Sequence, residues 1–153
     1  MRIITQDLSI LLPKANESNI VLFTANAYIS VKGELVMGRG FARDVKNWSM
    51  RKEGFNKIGQ QLALYINHLK TYGVVILPSY IGAFQVKTNF NEPASLDLIR
   101  NSALMLKAYA DKYRTSTYHC NYPGVGFGQL PPKDVHDLLT SLQLPDNIVF
   151  YKQ

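Results

Sequence analysis

The stretch ELVMGRGFARD, Glu34 to Asp44, sets Gly38 and Gly40 on either side of Arg39, with an apolar lead-in and a helix-like run after it. Phe41, Val45 and Trp48 then fall at i, i+4 and i+7, one face of a helix, and Gly54 supplies a stop. A second stretch, YPGVGFGQLPPKD from Tyr122 to Asp134, repeats this arrangement in the second half of the chain. Each places flexible backbone between a strand-like run and a helix.

Working outward, apolar runs of strand length alternate with helix-period segments. RIITQDL and NIVLFTAN read as strands, with polar PKANESN between them. VVILPSY is a near-continuous apolar run, as expected of a strand buried on both faces, and FQVK follows as a shorter strand. STYHC and NIVFY complete the set. Phe55, Ile58, Leu62, Tyr65 and Leu69 form the stripe of a second helix that ends at TYG. A third begins at Ser95, a good N-cap, with Asp97 in its first turn and a stripe of Leu96, Ile99, Ala103, Leu106 and Ala110. Pro131 and Pro132 open a fourth, with Val135, Leu138, Leu139 and Leu142 facing inward. Strands alternating with helices imply a largely parallel sheet covered on both sides, a three-layer α/β/α domain.

Bulk properties agree with one domain over residues 1–153. Hydrophobic content of 46% and charged content of 18% describe a globular chain. The one cysteine, Cys120, cannot form an internal disulfide, and no Cys/His cluster has zinc spacing, so no metal site is expected and a cytoplasmic setting is the default. No apolar run reaches the ~20 residues of a membrane span. The N-terminal MRIITQDLSILLPK is broken by Asp7 and reads as a strand, not a leader. The net charge of +6 is scattered, so a solvated surface and a nucleic-acid footprint both stay open.

Ligands of open α/β sheets sit beyond the carboxyl ends of strands, where loops lead into helices. Glycine lets backbone N–H groups approach an anion, and a helix N-terminus adds positive charge. Two such loops on one rim describe a cradle for a diphosphate or two phosphates. The chain has no GxxxxGK[ST], which excludes a P-loop, and no GxGxxG after the first strand, which excludes a Rossmann dinucleotide site.

TANAYISVKGELVMGRGFARDVKN resembles the first ligand loop of the macro domain, and HCNYPGVGFGQLPPKDVHDLL the second. VKTNFNEPASLDLIRNSALML resembles the strand–lysine–helix segment of the subfamily that includes DNA-directed ADP-ribose-removing antitoxins and related glycohydrolases, and ITQDL resembles the early acidic position. The resemblance covers nearly the whole chain in order. It implies the macro-domain fold, with a mixed, mostly parallel central sheet. Compact stand-alone domains of this kind also occur in bacteriophages, which would place this one in the host cytoplasm.

The resemblance implies ADP-ribose binding. Asp7, with Leu8 beside it, would meet the adenine; Gly38, Arg39, Gly40, Phe41 and Ala42 would line one side of the diphosphate and distal ribose. Gly124, Val125, Gly126, Phe127 and Gly128 would line the other, Asn26 would bond the distal ribose, and Phe150 or Tyr151 would stack on adenine. Plainer roles stand beside these: Asp7 capping a turn, Asn26 ending a strand, Tyr151 packing at the terminus. In the glycohydrolase subfamily the residue at Lys87 attacks the anomeric carbon, which needs an amine of lowered pKa, with Arg39 a candidate cause. That subfamily also uses an acid in the second loop, where this chain has Gly128 and Gln129. Asn26 and His119 are further catalytic candidates, His119 as the acid–base group of an ADP-ribose 1″-phosphate phosphatase or, more plainly, as a satisfied histidine on a strand.

The expectation is a monomeric hydrolase, without cofactor or membrane partner, that removes ADP-ribose from a modified protein or nucleic acid. The 1″-phosphatase and a non-catalytic ADP-ribose reader are the alternatives.

Overall fold

The computed structural model describes residues 1–69 and 73–153, with the side chains of residues 68 and 69 outside the described set. Six strands, β1 (Arg2–Thr5), β2 (Asn19–Ala25), β3 (Val74–Ile76), β4 (Ile81–Gln85), β5 (Thr117–Asn121) and β6 (Ile148–Lys152), form one sheet in the order β1-β6-β5-β2-β4-β3. All neighbours pair parallel except β3 with β4. The largely parallel sheet is the one the alternating pattern implies, and its one antiparallel pair fits the mixed sheet that the resemblance implies.

Among the described residues four α-helices cover it: α1 (Gly40–Glu53), α2 (Lys57–Leu69), α3 (Leu96–Lys112) and α4 (Pro132–Ser141). Strand alternation sorts the core onto two faces. Along β2, Ile20 and Leu22 join Phe84, Phe150, Ile99, Leu106 and Val135 in the layer under α3 and α4. Val21 and Phe23 join Leu8, Leu12, Val45, Leu62 and Val149 in the layer under α1 and α2. The central strands are therefore apolar on both faces, as parallel strands covered by helices must be.

Three expectations change. RIITQDL is strand only to Thr5, because the Asp7 carboxylate accepts from both the N–H and the hydroxyl of Ser9, at 2.9 and 2.7 Å, and opens a 3-10 helix over Leu8–Lys14. VVILPSY is not one buried strand. Ile76 ends β3 at the sheet edge, Pro78 cannot donate to a ladder, and the Tyr80 N–H closes a turn onto the Leu77 carbonyl before β4 begins. Phe84 and Gln85 belong to β4, and Val86 and Lys87 follow it. In α2 the buried stripe is Ile58, Leu62 and Ile66, while Phe55 lies before the helix and it and Tyr65 are exposed. Leu69 of the expected stripe and the TYG end at residues 71 and 72 lie outside the described residues.

The topology places a site. From β2 the chain crosses by α1 and α2 toward the β4–β3 edge; from β5 it crosses by α4 toward β6. The two strands are neighbours, and their following segments leave in opposite directions and onto opposite faces. A crevice opens beyond their carboxyl ends, at the point where ligands of open α/β sheets bind.

Candidate functional site

The crevice is a cleft of about 360 Å³. Its floor is the strand ends: Thr24 and Ala25 closing β2 with Asn26 after them, Asn121 closing β5 with Tyr122 after it, and Val86 and Lys87 after β4. Thr24 and Asn121 are stapled together across β2 and β5. The Thr24 N–H donates to Asn121 Oδ1, and Asn121 Nδ2 donates to Thr24 Oγ1, both at 2.8 Å. Tyr122 is buried beneath, its ring 6.1 Å from that of Phe150 and its hydroxyl without a hydrogen-bond partner among the described residues.

One wall is Gly38–Ala42 at the start of α1. Arg39 is the N-cap but makes no side-chain capping bond, which leaves the first-turn N–H groups of α1 open to an anion. Gly40 has φ of +58°, a left-handed conformation that lets the chain turn into the helix. The opposite wall is Gly124, Val125, Phe127 and Gly128. Gly124 has φ of +82°, and a Cβ there would stand 2.6 Å from Ile99 and 2.9 Å from Leu130. Only glycine fits that corner. The walls meet where Arg39 Cζ stands 5.6 Å from the Phe127 ring centre, within cation–π range.

The second wall differs from expectation in one respect. A short 3-10 turn, Gly126–Gly128, and then Gln129 to Pro131 separate the glycines from α4. The N-terminus of α4 is absent from the cleft walls, and Pro131 and Pro132 carry no N–H to offer. Among the described residues only α1 brings a helix start to the cleft walls.

Lys87, at the end of that floor, feels Arg39's charge. Burial and the Arg39 guanidinium lower its pKa from the ordinary lysine value, and Glu92 opposes them. Its Nζ donates to the Phe90 carbonyl at 3.2 Å, in a turn that the Thr88 hydroxyl closes by donating to Glu92. No carboxylate lines the cleft among the described residues. Nor do the described residues contain a cluster of three or more His, Cys, Asp or Glu side chains able to hold a metal ion.

Asn26 is buried and already engaged. Its Nδ2 donates to the Val36 carbonyl at 3.0 Å and its Oδ1 accepts from the Tyr28 N–H at 2.9 Å. Between those contacts the chain forms a small hairpin, with Val36 N–H on Tyr28 O, Ser30 N–H on Glu34 O, and a bridge between Ile29 and Leu35. Asn26 thus holds both arms of the hairpin that leads into the first glycine loop.

Six expected residues stand outside the cleft walls. The Asp7 carboxylate is exposed and occupied by Ser9, whose two bonds lower its pKa. Leu8 is a core residue. Gly126, with φ of +66°, forms the turn behind the wall. Tyr151 lies on the α1–α2 face, where its hydroxyl meets His119 Nδ1 at 2.6 Å, and Phe150 is buried on the other face. His119 Nε2 meets Asn19 Oδ1 at 2.9 Å. Since that oxygen only accepts, Nε2 carries the proton, and Nδ1 accepts from the tyrosine. Burial, with the Arg2 charge, lowers the His119 pKa to about 4. It is a satisfied core histidine.

Asn121, Tyr122, Thr24 and Phe90 line the cleft without having been expected there. Asn121 closes the strand run STYHCN much as Asn26 follows β2, and that parallel was the available signal.

No family model and no curated protein sequence matches the chain. Solved structures do match. The macrodomain of Mycobacterium tuberculosis DarG superposes with a TM-score of 0.69 at 22% identity, over 100% of this chain and 99% of that one. The macrodomain of Thermus aquaticus DarG gives 0.67 at 18%, over 99% and 97%. Thermosipho africanus DarTG, solved in complex with ADP-ribose, gives 0.67 at 14%, over 99% of this chain and 41% of that one.

Proposed function

We propose that this protein, whose chain has the macrodomain fold, binds ADP-ribose in the cleft and hydrolyses the bond at C1″ of the distal ribose, releasing ADP-ribose from a modified protein or nucleic acid. The observation that carries the reading is Lys87: an amine of lowered pKa at the end of a cleft built from two glycine walls and an open helix start. The α1 N–H groups and Arg39 hold the diphosphate, and the Thr24–Asn121 floor sets the depth at which the distal ribose rests. A structure of similar fold with ADP-ribose bound supports the ligand class.

In the chemical step, the neutral Lys87 amine attacks C1″. Its lone pair forms the C–N bond while the bond to the leaving group breaks with its electron pair. The proton shed by the nitrogen passes to the leaving group through solvent. Water then hydrolyses the lysine adduct, freeing ADP-ribose and the amine. Burial and the Arg39 charge favour the neutral form that this step needs.

A second reading has its own observation. With no carboxylate among the described cleft residues, a reader that binds ADP-ribose without turnover fits the same walls. Calorimetry with ADP-ribose and ADP tests the shared premise: ADP-ribose should bind well above ADP. Single-turnover assay of an ADP-ribosylated substrate with Lys87→Ala then separates the two. Turnover by the native protein that the variant loses while retaining binding supports the hydrolase; no turnover by either leaves the reader.

A further inference from the structure

A lysine amine rides on a flexible four-carbon stem, so something beyond the side chain must fix where it sits. For Lys87 that is the Phe90 carbonyl, which accepts from Nζ at 3.2 Å. The carbonyl belongs to a loop tied at both ends. The Ala27 N–H donates to the Thr88 carbonyl at 3.1 Å and the Ser95 N–H to the Val86 carbonyl at 2.8 Å. The Ala94 N–H donates to the Gly128 carbonyl of the second wall at 2.9 Å. Between these ties Glu92 closes the turn. Its carboxylate accepts from the Thr88 hydroxyl, and its N–H donates to the Asn89 carbonyl at 3.2 Å. Glu92 is exposed, yet its carboxylate is committed to its own loop and forms no ion pair among the described residues.

We infer that Glu92 is a positioning residue for Lys87: by closing the turn through Thr88, its carboxylate fixes the Phe90 carbonyl, and that carbonyl fixes the amine at the end of the cleft. The inference rests on the proposed function, which makes this amine the nucleophile. A neutral amine that gives one N–H to a held oxygen keeps its lone pair turned off that oxygen. The turn therefore restricts the direction of attack as well as its place. Glu92 also acts by charge, supporting the ammonium form of Lys87 against burial and Arg39. Burial raises the pKa of Tyr122 in the floor, which stays neutral, and the second wall, Gly124–Gly128, has no titratable side chain. Tyr28 of the hairpin meets the Phe90 ring edge to face, with centroids 5.2 Å apart.

The test reads the amine directly. In protein carrying isotope-labelled lysine, Lys87→Arg identifies the Lys87 signal. NMR then follows its Hε protons, which are distinct while the side chain is held and merge when it swings free. They should be distinct in the native protein and in Glu92→Gln, which keeps an oxygen for Thr88. They should merge in Glu92→Ala and Thr88→Val, which lose the bond. With an ADP-ribosylated substrate, kcat should fall by about tenfold or more in Glu92→Ala and Thr88→Val while ADP-ribose affinity holds, since a misplaced nucleophile costs rate and not binding. Glu92→Gln should recover most of that loss. Its rising limb of kcat should move to lower pH, because the missing anion no longer favours the ammonium. Hε protons already merged in the native protein, or still distinct in Glu92→Ala, overturn the inference, as does native kcat in that variant. A Glu92→Gln protein as impaired as Glu92→Ala overturns it too, because the charge and not the turn would then be the operative part. Absence of turnover by the native protein would bring down the hydrolase reading alone, and the Hε protons would still decide whether Glu92 holds the amine.

Discussion

Arg39, from the loop after β2, and Phe127, from the loop after β5, touch across the cleft, guanidinium carbon to ring centre at 5.6 Å. Phe127 is 58% exposed, so little else holds it there. The contact joins the two glycine walls, and Arg39 also acts on Lys87 through its charge. Several consequences can be measured.

Gly38→Glu separates ligand binding from folding. Gly38 has no atom within 4 Å of a built Cβ and no left-handed φ, so the variant should fold with near-native stability. The new carboxylate would stand in the wall proposed for the diphosphate. ADP-ribose affinity should fall by about 100-fold or more, since like charges in a partly dry site repel strongly. Normal affinity in a folded variant would remove the diphosphate from this wall.

Arg39→Gln should shift the pH–rate profile. The Arg39 charge is one of two causes that lower the Lys87 pKa, burial being the larger. Removing it raises that pKa, so less amine is neutral at a given pH. At saturating substrate, the rising limb of kcat should move to higher pH, and kcat at neutral pH should drop. An unmoved limb would detach Lys87 from the rate.

Tyr151→Phe should cost stability and leave the ligand alone. The variant loses the hydroxyl bonded to His119 Nδ1, worth about 1 kcal/mol, which lowers Tm by a few degrees, roughly 2–4 °C, for a chain of this size. ADP-ribose affinity measured by calorimetry should be unchanged. A large loss of affinity would restore Tyr151 to the binding site.

Acid should destabilise the fold through His119 before it protonates most native carboxylates. The ring is neutral when folded, with a pKa near 4 against 6.5 for an unhindered imidazole, so the unfolded chain binds the extra proton between those values. Stability is therefore full above pH 6.5 and falls as pH drops toward 4, by up to about 2 kcal/mol. Urea melts at pH 7 and 4.5 should show this slope, and His119→Gln should flatten it.

Asn26→Asp keeps the acceptor for the Tyr28 N–H but loses the donor to the Val36 carbonyl. The hairpin should loosen at that arm alone. Hydrogen exchange at the Val36 amide, which bonds Tyr28 O, should speed by about tenfold while strand β2 stays protected. Unaltered exchange would mean Asn26 does not hold the hairpin.

The largely parallel sheet and both glycine walls were legible because their signals are local, apolar runs and glycine clusters, whereas the mixed sheet and Lys87 entered through the resemblance. What escaped depends on partners distant in sequence. Whether Phe150 or Tyr151 faces a given layer turns on register against β5 and β1, which strand alternation alone leaves open. His119 looks like a loop-side acid until Asn19 and Tyr151 arrive from two other strands. Tyr65 gave way to Ile66 because α2 begins at Lys57 and sets its stripe by fours from Ile58. Asn121 could not be read as the partner of Thr24 without knowing that β5 lies beside β2.

Thr24 and Asn121 bind each other through a matched pair of bonds that needs no guest. The floor is therefore tied shut without a ligand, a fixed stop rather than a yielding one. If the distal ribose rests on it, a shortened ligand is not rescued by the protein closing around it. Trimming the ligand at the ribose end should lose affinity abruptly, whereas a flexible floor would give it up by degrees.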